Sequence, residues 1–237
     1  MPVSSNVRRH RNDYPTTKLN TNMEPAMDLH SRFREIIRTE DELRAVMGNP
    51  SALVTRKELD QLDSHAREFI GRSPFLIIGT TGSDGRIDMS PKGDPPGFVK
   101  VLDDKTLAIP ERLGNRRADT FSNLVVNPQV GLIFLIPGKQ ETLRVSGRAL
   151  IVRDVPLRQS MEVSGKVPEF AIVVEVTQMF FHCAKCMIRS NLWKPDCWPA
   201  LSGLSSLAET MVSAGKLEHS VQEMQKIVDN DAATRLY

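Results

Sequence analysis

Two adjacent arginines, Arg116 and Arg117, follow a Gly114-Asn115 turn just beyond a short apolar run at residues 107–110. An amphipathic stretch begins at the turn, which predicts a strand, a turn and a helix in succession. The first N–H groups of a helix have no internal partners, and the helix dipole adds partial positive charge there. Two guanidinium groups beside them supply full charges and forked donors that match phosphate oxygens. The chemistry implied is phosphate binding. Solvated surface arginines are the alternative, and the residue types alone leave both open. Upstream, Ser90 and Lys92 in IDMSPKGD (residues 87–94) offer a hydroxyl and a cation. Downstream, Thr142, Arg144 and Arg148 recur along ETLRVSGRA (residues 141–149), as solvent-facing positions of a half-exposed strand also would.

A second concentration of reactive side chains is FFHCAKCMIRSNLWKPDCW, residues 180–198. His182, Cys183, Cys186 and Cys197 include a CxxC, which needs two more ligands to close a zinc tetrahedron. His182 and Cys183 are adjacent, and adjacent residues reach one ion only through a special turn. A redox CxxC would lack its usual βαβ setting. Small buried cysteines are the third reading. Three cysteines in 237 residues do not make a disulfide framework. The five histidines have no matching nucleophile, and neither HExxH nor a phosphate-binding P-loop occurs. No metal site is expected.

The scaffold that must position these groups reads as mainly β. FLIIGT (residues 75–80) is a continuous apolar run, expected to be buried on both faces. A hairpin returns over residues 86–90, and residues 91–97 are rich enough in Pro and Gly to predict a stiff loop. Further strands are expected at 98–102, 106–110, 129–136, 141–152 and 171–181, with a short helix at 155–164. Hairpins interrupted by short helices suggest an antiparallel barrel, whose closure removes unpaired edges. Before it, apolar spacing predicts helix over residues 28–47, broken near Thr39-Glu40, where Thr39 and Glu42 form a capping-box pattern. A second helix is expected over 55–70, with Leu59, Leu62, His65, Ala66, Phe69 and Ile70 on one face. The expected organisation is an irregular arm (1–27), a helical extension (28–72), a barrel domain (73–199) and a C-terminal helical extension (200–237).

Net charge is +2, so global electrostatics give no case for nucleic acid. No run approaches the ~20 apolar residues of a membrane span, and no leader pattern opens the chain. A cytoplasmic protein is expected.

The motif order resembles the pyridoxamine 5′-phosphate oxidase-like, FMN-binding split-barrel family over about residues 69–189. Gly114-Asn115-Arg116-Arg117 is similar to the family's Gly-Ser-Arg-Lys-type turn, and Asn127-Pro128 to the Asn-Pro that ends its short helix. Lys92 matches the lysine that ends the second phosphate- and flavin-contacting strand. ETLRVSGRA resembles the strand that passes the flavin ring. The resemblance implies FMN as cofactor, on a Greek-key split β-barrel with helical extensions. It implies that Asp88, Met89, Ser90, Lys92, Ile109, Pro110, Asn115, Arg116, Arg117, Thr142 and Arg144 contact FMN. Arg144, or else Arg148, would lie near the flavin's N1–O2 edge. It further implies a homodimer with flavins between subunits, where Lys185, Arg189 and Trp193 complete the partner's pocket. Arg112 in the turn reads as solvated. The expected activity is electron or hydride transfer to or from a small molecule, with NADH or NADPH as possible donor. The alternatives are a flavin carrier or sensor without turnover, or a haem or F420 binder on the same barrel. The Arg-Leu-rich substrate motif of true pyridoxamine phosphate oxidases is not expected in this C-terminal sequence.

Overall fold

The computed structural model describes residues 29–237, so the expected irregular arm lies outside the described residues. The described residues fall into two units, divided between Pro50 and Ser51. In the first, a 3-10 turn at Leu29–Ser31 precedes α1 (Glu40–Met47), and the chain between them is not helical. Only the second half of the helix expected over 28–47 forms. Thr39 Oγ1 accepts the Glu42 N–H at 3.2 Å, which starts α1. Glu42 Oε2 accepts the Arg38 N–H at 2.7 Å, one residue earlier than a capping box would use.

The second unit begins with α2 (Ala52–Thr55) and α3 (Ser64–Arg72). The single helix expected over 55–70 is therefore corrected. Asp63 Oδ1 accepts the Ala66 N–H at 2.8 Å and sets the start of α3. Upstream of that cap, Leu59 is extended and exchanges backbone hydrogen bonds with Met179 at 2.9 and 2.7 Å. His65 is exposed, while Leu62, Ala66, Phe69 and Ile70 enter the core.

The strands are β1 (Phe75–Thr81), β2 (Ile87–Gly93), β3 (Lys100–Val101) and β4 (Thr106–Pro110). Then follow α4 (Asp119–Val126), β5 (Gln129–Leu135), β6 (Thr142–Val152), α5 (Val155–Gln159) and β7 (Ala171–His182). All seven strands make one antiparallel sheet in the order β2-β1-β5-β6-β7-β4-β3. β4 lies beside β7 at the end of the β5-β6-β7 meander, which is the Greek-key return. Leu76 and Ile78 of β1 share a single core with Leu107 and Ile109 of β4, four places away along the sheet. The sheet is thus rolled around one interior.

The roll does not close by hydrogen bonding: β2 and β3 remain edges. This is the split barrel that the family resemblance implied. It also explains the corrected loop, because β2 runs on through Pro91 to Gly93. An edge strand tolerates Pro on its unpaired side, and Pro91 and Lys92 both discourage pairing with another chain. β1 is buried on one face only: Leu76, Ile78 and Thr80 point inward, and Phe75, Ile77 and Gly79 are more open. Between β6 and β7 the register slips at Ser146/Gly147, leaving Thr177 as the extra residue. Only glycine fits at 147, where a Cβ would lie 2.1 Å from the Glu175 carbonyl oxygen.

The chain ends in α6 (Lys185–Ser190), α7 (Leu207–Gly215) and α8 (Val221–Thr234). Ser206 with Glu209, and Ser220 with Glu223, form capping boxes that start α7 and α8. No helix among the described residues is long and apolar enough to cross a membrane.

Candidate functional site

The pleat of β2 turns Asp88, Ser90 and Lys92 to one half-buried face, and Ile87, Met89 and Pro91 to the exposed one. The Met89 sulfur lies over Gly79 instead. The first three residues line a cleft of about 630 Å³ together with the segment after β4, the start of α4 and the end of α8. It opens at the split, where two ion pairs join β2 to the chain leaving β4. Lys92 Nζ lies 2.7 Å from Glu111 Oε2, and Arg112 Nε lies 2.6 Å from Asp94 Oδ2. The second pair is well covered, with side-chain exposures of 14% and 1%. Arg112 also donates to the Met161 carbonyl at 2.9 Å, so the solvated role expected for it is corrected.

Opposite, Thr120 Oγ1 donates to Asp88 Oδ2 at 2.9 Å, and Asn123 donates to Thr80 Oγ1 at 3.1 Å. These bonds fix α4 against β1 and β2. The helix begins at Asp119, later than the turn-proximal start the sequence suggested. Arg116 and Ala118 hold left-handed backbone, with φ of 62° and 57°. Such angles are strained for non-glycine residues, and strain of this kind gathers at functional sites. They delay the helix and separate the two arginines. Arg117 lines the polar cleft, where Asp119 accepts its Nε–H at 2.7 Å and holds the guanidinium pKa above its ordinary value. Arg116 lines a neighbouring apolar cleft of about 820 Å³.

The C-terminal segment supplies the wall that the sequence did not suggest. Tyr237 donates its phenol hydrogen to Asp94 Oδ1 at 2.8 Å, and its ring lies 5.5 Å from the Arg112 guanidinium. The hydrogen bond to Asp94 raises the phenol pKa, and burial and the Asp94 charge push the same way. Arg235 and Leu236 line the cleft as well. Nothing local in the sequence marks Tyr237 as a partner of Asp94. The mirrored charges of Lys92/Asp94 and Glu111/Arg112 were the one available signal for the paired walls.

Of the residues singled out by sequence, Asp88, Met89, Ser90, Lys92, Pro110, Asn115 and Arg117 line the polar cleft. Ile109 is fully buried in the core. Thr142, Arg144, Lys185, Arg189 and Trp193 line neither cleft. Thr142 is buried opposite His182 in the β6–β7 ladder, and Arg144 lies 5.0 Å from the Phe180 ring. Trp193 donates its indole N–H to the Lys139 carbonyl at 2.8 Å. Cys183, Cys186 and Cys197 are free and exposed, which overturns the reading of small buried cysteines. Among the described residues, no group of three or more His, Cys, Asp or Glu side chains is placed to hold a metal ion.

Size and donors fit a phosphate-bearing cofactor. The volume falls within the range of small-molecule sites, and cationic, hydroxyl and amide donors line it. The pyridoxamine 5′-phosphate oxidase family model matches residues 62–183, just over half of the chain, spanning α3 through β7. Several solved structures are similar. HupZ of Group A Streptococcus shares 18% identity, covering 50% of this chain and 92% of that one, with a TM-score of 0.42. An FMN-binding protein from Syntrophomonas wolfei shares 12%, covering 49% and 88%, with a TM-score of 0.38. HutZ, the heme storage protein from Vibrio cholerae, shares 20%, covering 51% and 94%, with a TM-score of 0.36. No curated protein matches the chain. By the family match and its rolled, split antiparallel sheet, this chain is a member of the pyridoxamine 5′-phosphate oxidase-like split-barrel family.

Proposed function

We propose that the chain is an FMN-binding flavoprotein that moves electrons or hydride between the cofactor and a small molecule. The observation that carries this reading is the polar cleft at the barrel split, where Ser90, Lys92, Asn115 and Arg117 converge beside the first turn of α4. A doubly charged phosphate needs cations and N–H donors, and these groups supply both. Lys92 and Arg117 are already matched by Glu111 and Asp119, so phosphate binding exchanges one anion for another at each cation. Ser90 contributes its hydroxyl and Asn115 its side-chain amide. Backbone at Asp88–Ser90 and at Pro110 borders the flat ring. When bound, FMN supplies the hydride and one-electron chemistry, and the protein supplies position and charge.

In this reading the protein is a cytoplasmic homodimer. Thr142, Arg144, Lys185, Arg189 and Trp193 lie outside the polar cleft of their own chain. They serve the flavin held by the other subunit, with Arg144 stabilising negative charge on the reduced ring. NADH or NADPH is the proposed electron donor.

The absorption spectrum of freshly purified protein, followed by anaerobic addition of NADH or NADPH, tests this. The expected result is the two-band flavin spectrum, with FMN released on denaturation and the bands bleached by a nicotinamide donor. A Soret band, a deazaflavin spectrum or a colourless protein that does not take up added FMN contradicts the assignment. Flavin bands that no donor or acceptor changes would instead leave a carrier or sensor.

A further inference from the structure

The apolar cleft beside the polar one is walled by Leu113, Phe121, Val125, Ile151, Val167 and Phe170. The Phe121 and Phe170 rings stand 5.6 Å apart and tilted, which offers faces and edges to a flat guest. Its volume of about 820 Å³ is within the range of small-molecule sites. The two clefts share Glu111, Arg112, the turn at Gly114-Asn115 and Tyr237, so a guest in one borders a guest in the other.

Charge decides what kind of guest. Five charged side chains line the apolar cleft: Glu111, Arg112, Arg116, Lys166 and Glu169. Glu111 is taken by Lys92, Arg112 by Asp94, and Glu169 by Arg153 at 2.9 Å with Arg158 at 3.8 Å. Arg116 and Lys166 have no carboxylate partner among the described residues. Two uncompensated cations therefore stand beside an otherwise apolar, aromatic wall. A hydrocarbon guest would leave those charges unused, and a small hydrophilic anion would leave the wall unused.

We propose that this cleft binds the substrate, and that the substrate is an amphipathic anion: a flat apolar body carrying a carboxylate or sulfonate. The body rests against the wall that the Phe121 and Phe170 rings form together, and the anionic group lies against Arg116 and Lys166. Calling the guest a substrate rests on the reading of the polar cleft as the cofactor site. The binding chemistry stands apart from it.

The test uses two dyes of the same shape on the purified full chain, followed by fluorescence: anilinonaphthalene sulfonate, an anion, and phenylnaphthylamine, which is neutral. The sulfonate is expected to bind once per chain and to weaken about five- to thirtyfold in the Arg116→Gln/Lys166→Gln double variant. The neutral dye should bind that variant as it binds the unaltered protein, which also shows that the fold is kept. Phe170→Ala should weaken both dyes. Equal sulfonate affinity with and without the two cations overturns the proposal. So does a protein that takes up neither dye and that Phe170→Glu converts from dimer to monomer, because the cleft is then covered by a second copy. Failure of the cofactor reading has a separate sign, the lack of flavin uptake, whatever the dyes do.

Discussion

The two clefts that meet at the Gly114–Arg117 turn differ in how they handle charge. In the polar cleft every lining cation has a carboxylate: Lys92 with Glu111, Arg112 with Asp94, Arg117 with Asp119, and Arg235 with Asp231. In the apolar cleft Arg116 and Lys166 have no carboxylate partner among the described residues. Paired cations hold their side chains in place, so the polar cleft is pre-organised, and a phosphate exchanges with an existing partner there. Unpaired cations on an apolar wall keep their charge available, at the cost of remaining solvated until a guest arrives. The contrast grows from adjacent residues, since the left-handed angles at Arg116 and Ala118 send neighbouring arginines into different clefts.

The sharpest way to break the comparison is to remove one cation from each side and measure urea unfolding. Arg112→Ala leaves the covered Asp94 carboxylate without its cation and is expected to cost about 3–5 kcal/mol. Arg116→Ala removes an exposed, unpaired group and should stay within about 0.5 kcal/mol. Equal losses would show that the pairing in the polar cleft has no structural weight. A smaller effect is expected from Tyr237→Phe, which keeps the ring over Arg112 but removes the hydrogen bond to Asp94, and should cost about 0.5–1.5 kcal/mol. The phenol pKa is raised in the folded protein, so this contribution is complete below the ordinary tyrosine value of 10.0. It fades as pH rises through the higher folded value. Unfolding curves of the two proteins should therefore converge at strongly alkaline pH, and a constant gap would show that the hydrogen bond is not the cause. The smallest effect is a gain: Asp119→Asn frees Arg117 and should tighten FMN binding by up to about fivefold, the scale of an exposed ion pair. Weaker binding would mean that Asp119 positions Arg117 and does not compete for it.

Much of the barrel was legible because its signals are local. β4, β5 and β7 are apolar runs bounded by turn residues; β4 is buried almost throughout, and β5 alternates between buried and more open positions. The late start of α3 was also written locally, in Asp63, but the apolar spacing of residues 55–62 masked it. Pro91 misled because proline ends strands in sheet interiors but not on an unpaired edge, and being an edge is a property of the whole sheet. The polar cleft was half legible. Ser90, Lys92 and Arg117 stood out by type and motif order, whereas Tyr237 lies 143 residues from Asp94 and nothing nearby marks the pair. The parting of Arg116 from Arg117 was invisible, because both backbone angles come from the way the turn packs.

The division of labour between those arginines and Lys92 is tested most directly by FMN titration of the cofactor-free protein, with Lys92→Met and Arg116→Met compared at one ionic strength. Loss of Lys92 removes a charged donor and leaves Glu111 facing the phosphate, so affinity should fall by about ten- to a hundredfold. Loss of Arg116 should change it by less than about threefold. If the two losses are equal, or if Arg116 matters more, the phosphate is not held in the polar cleft as described.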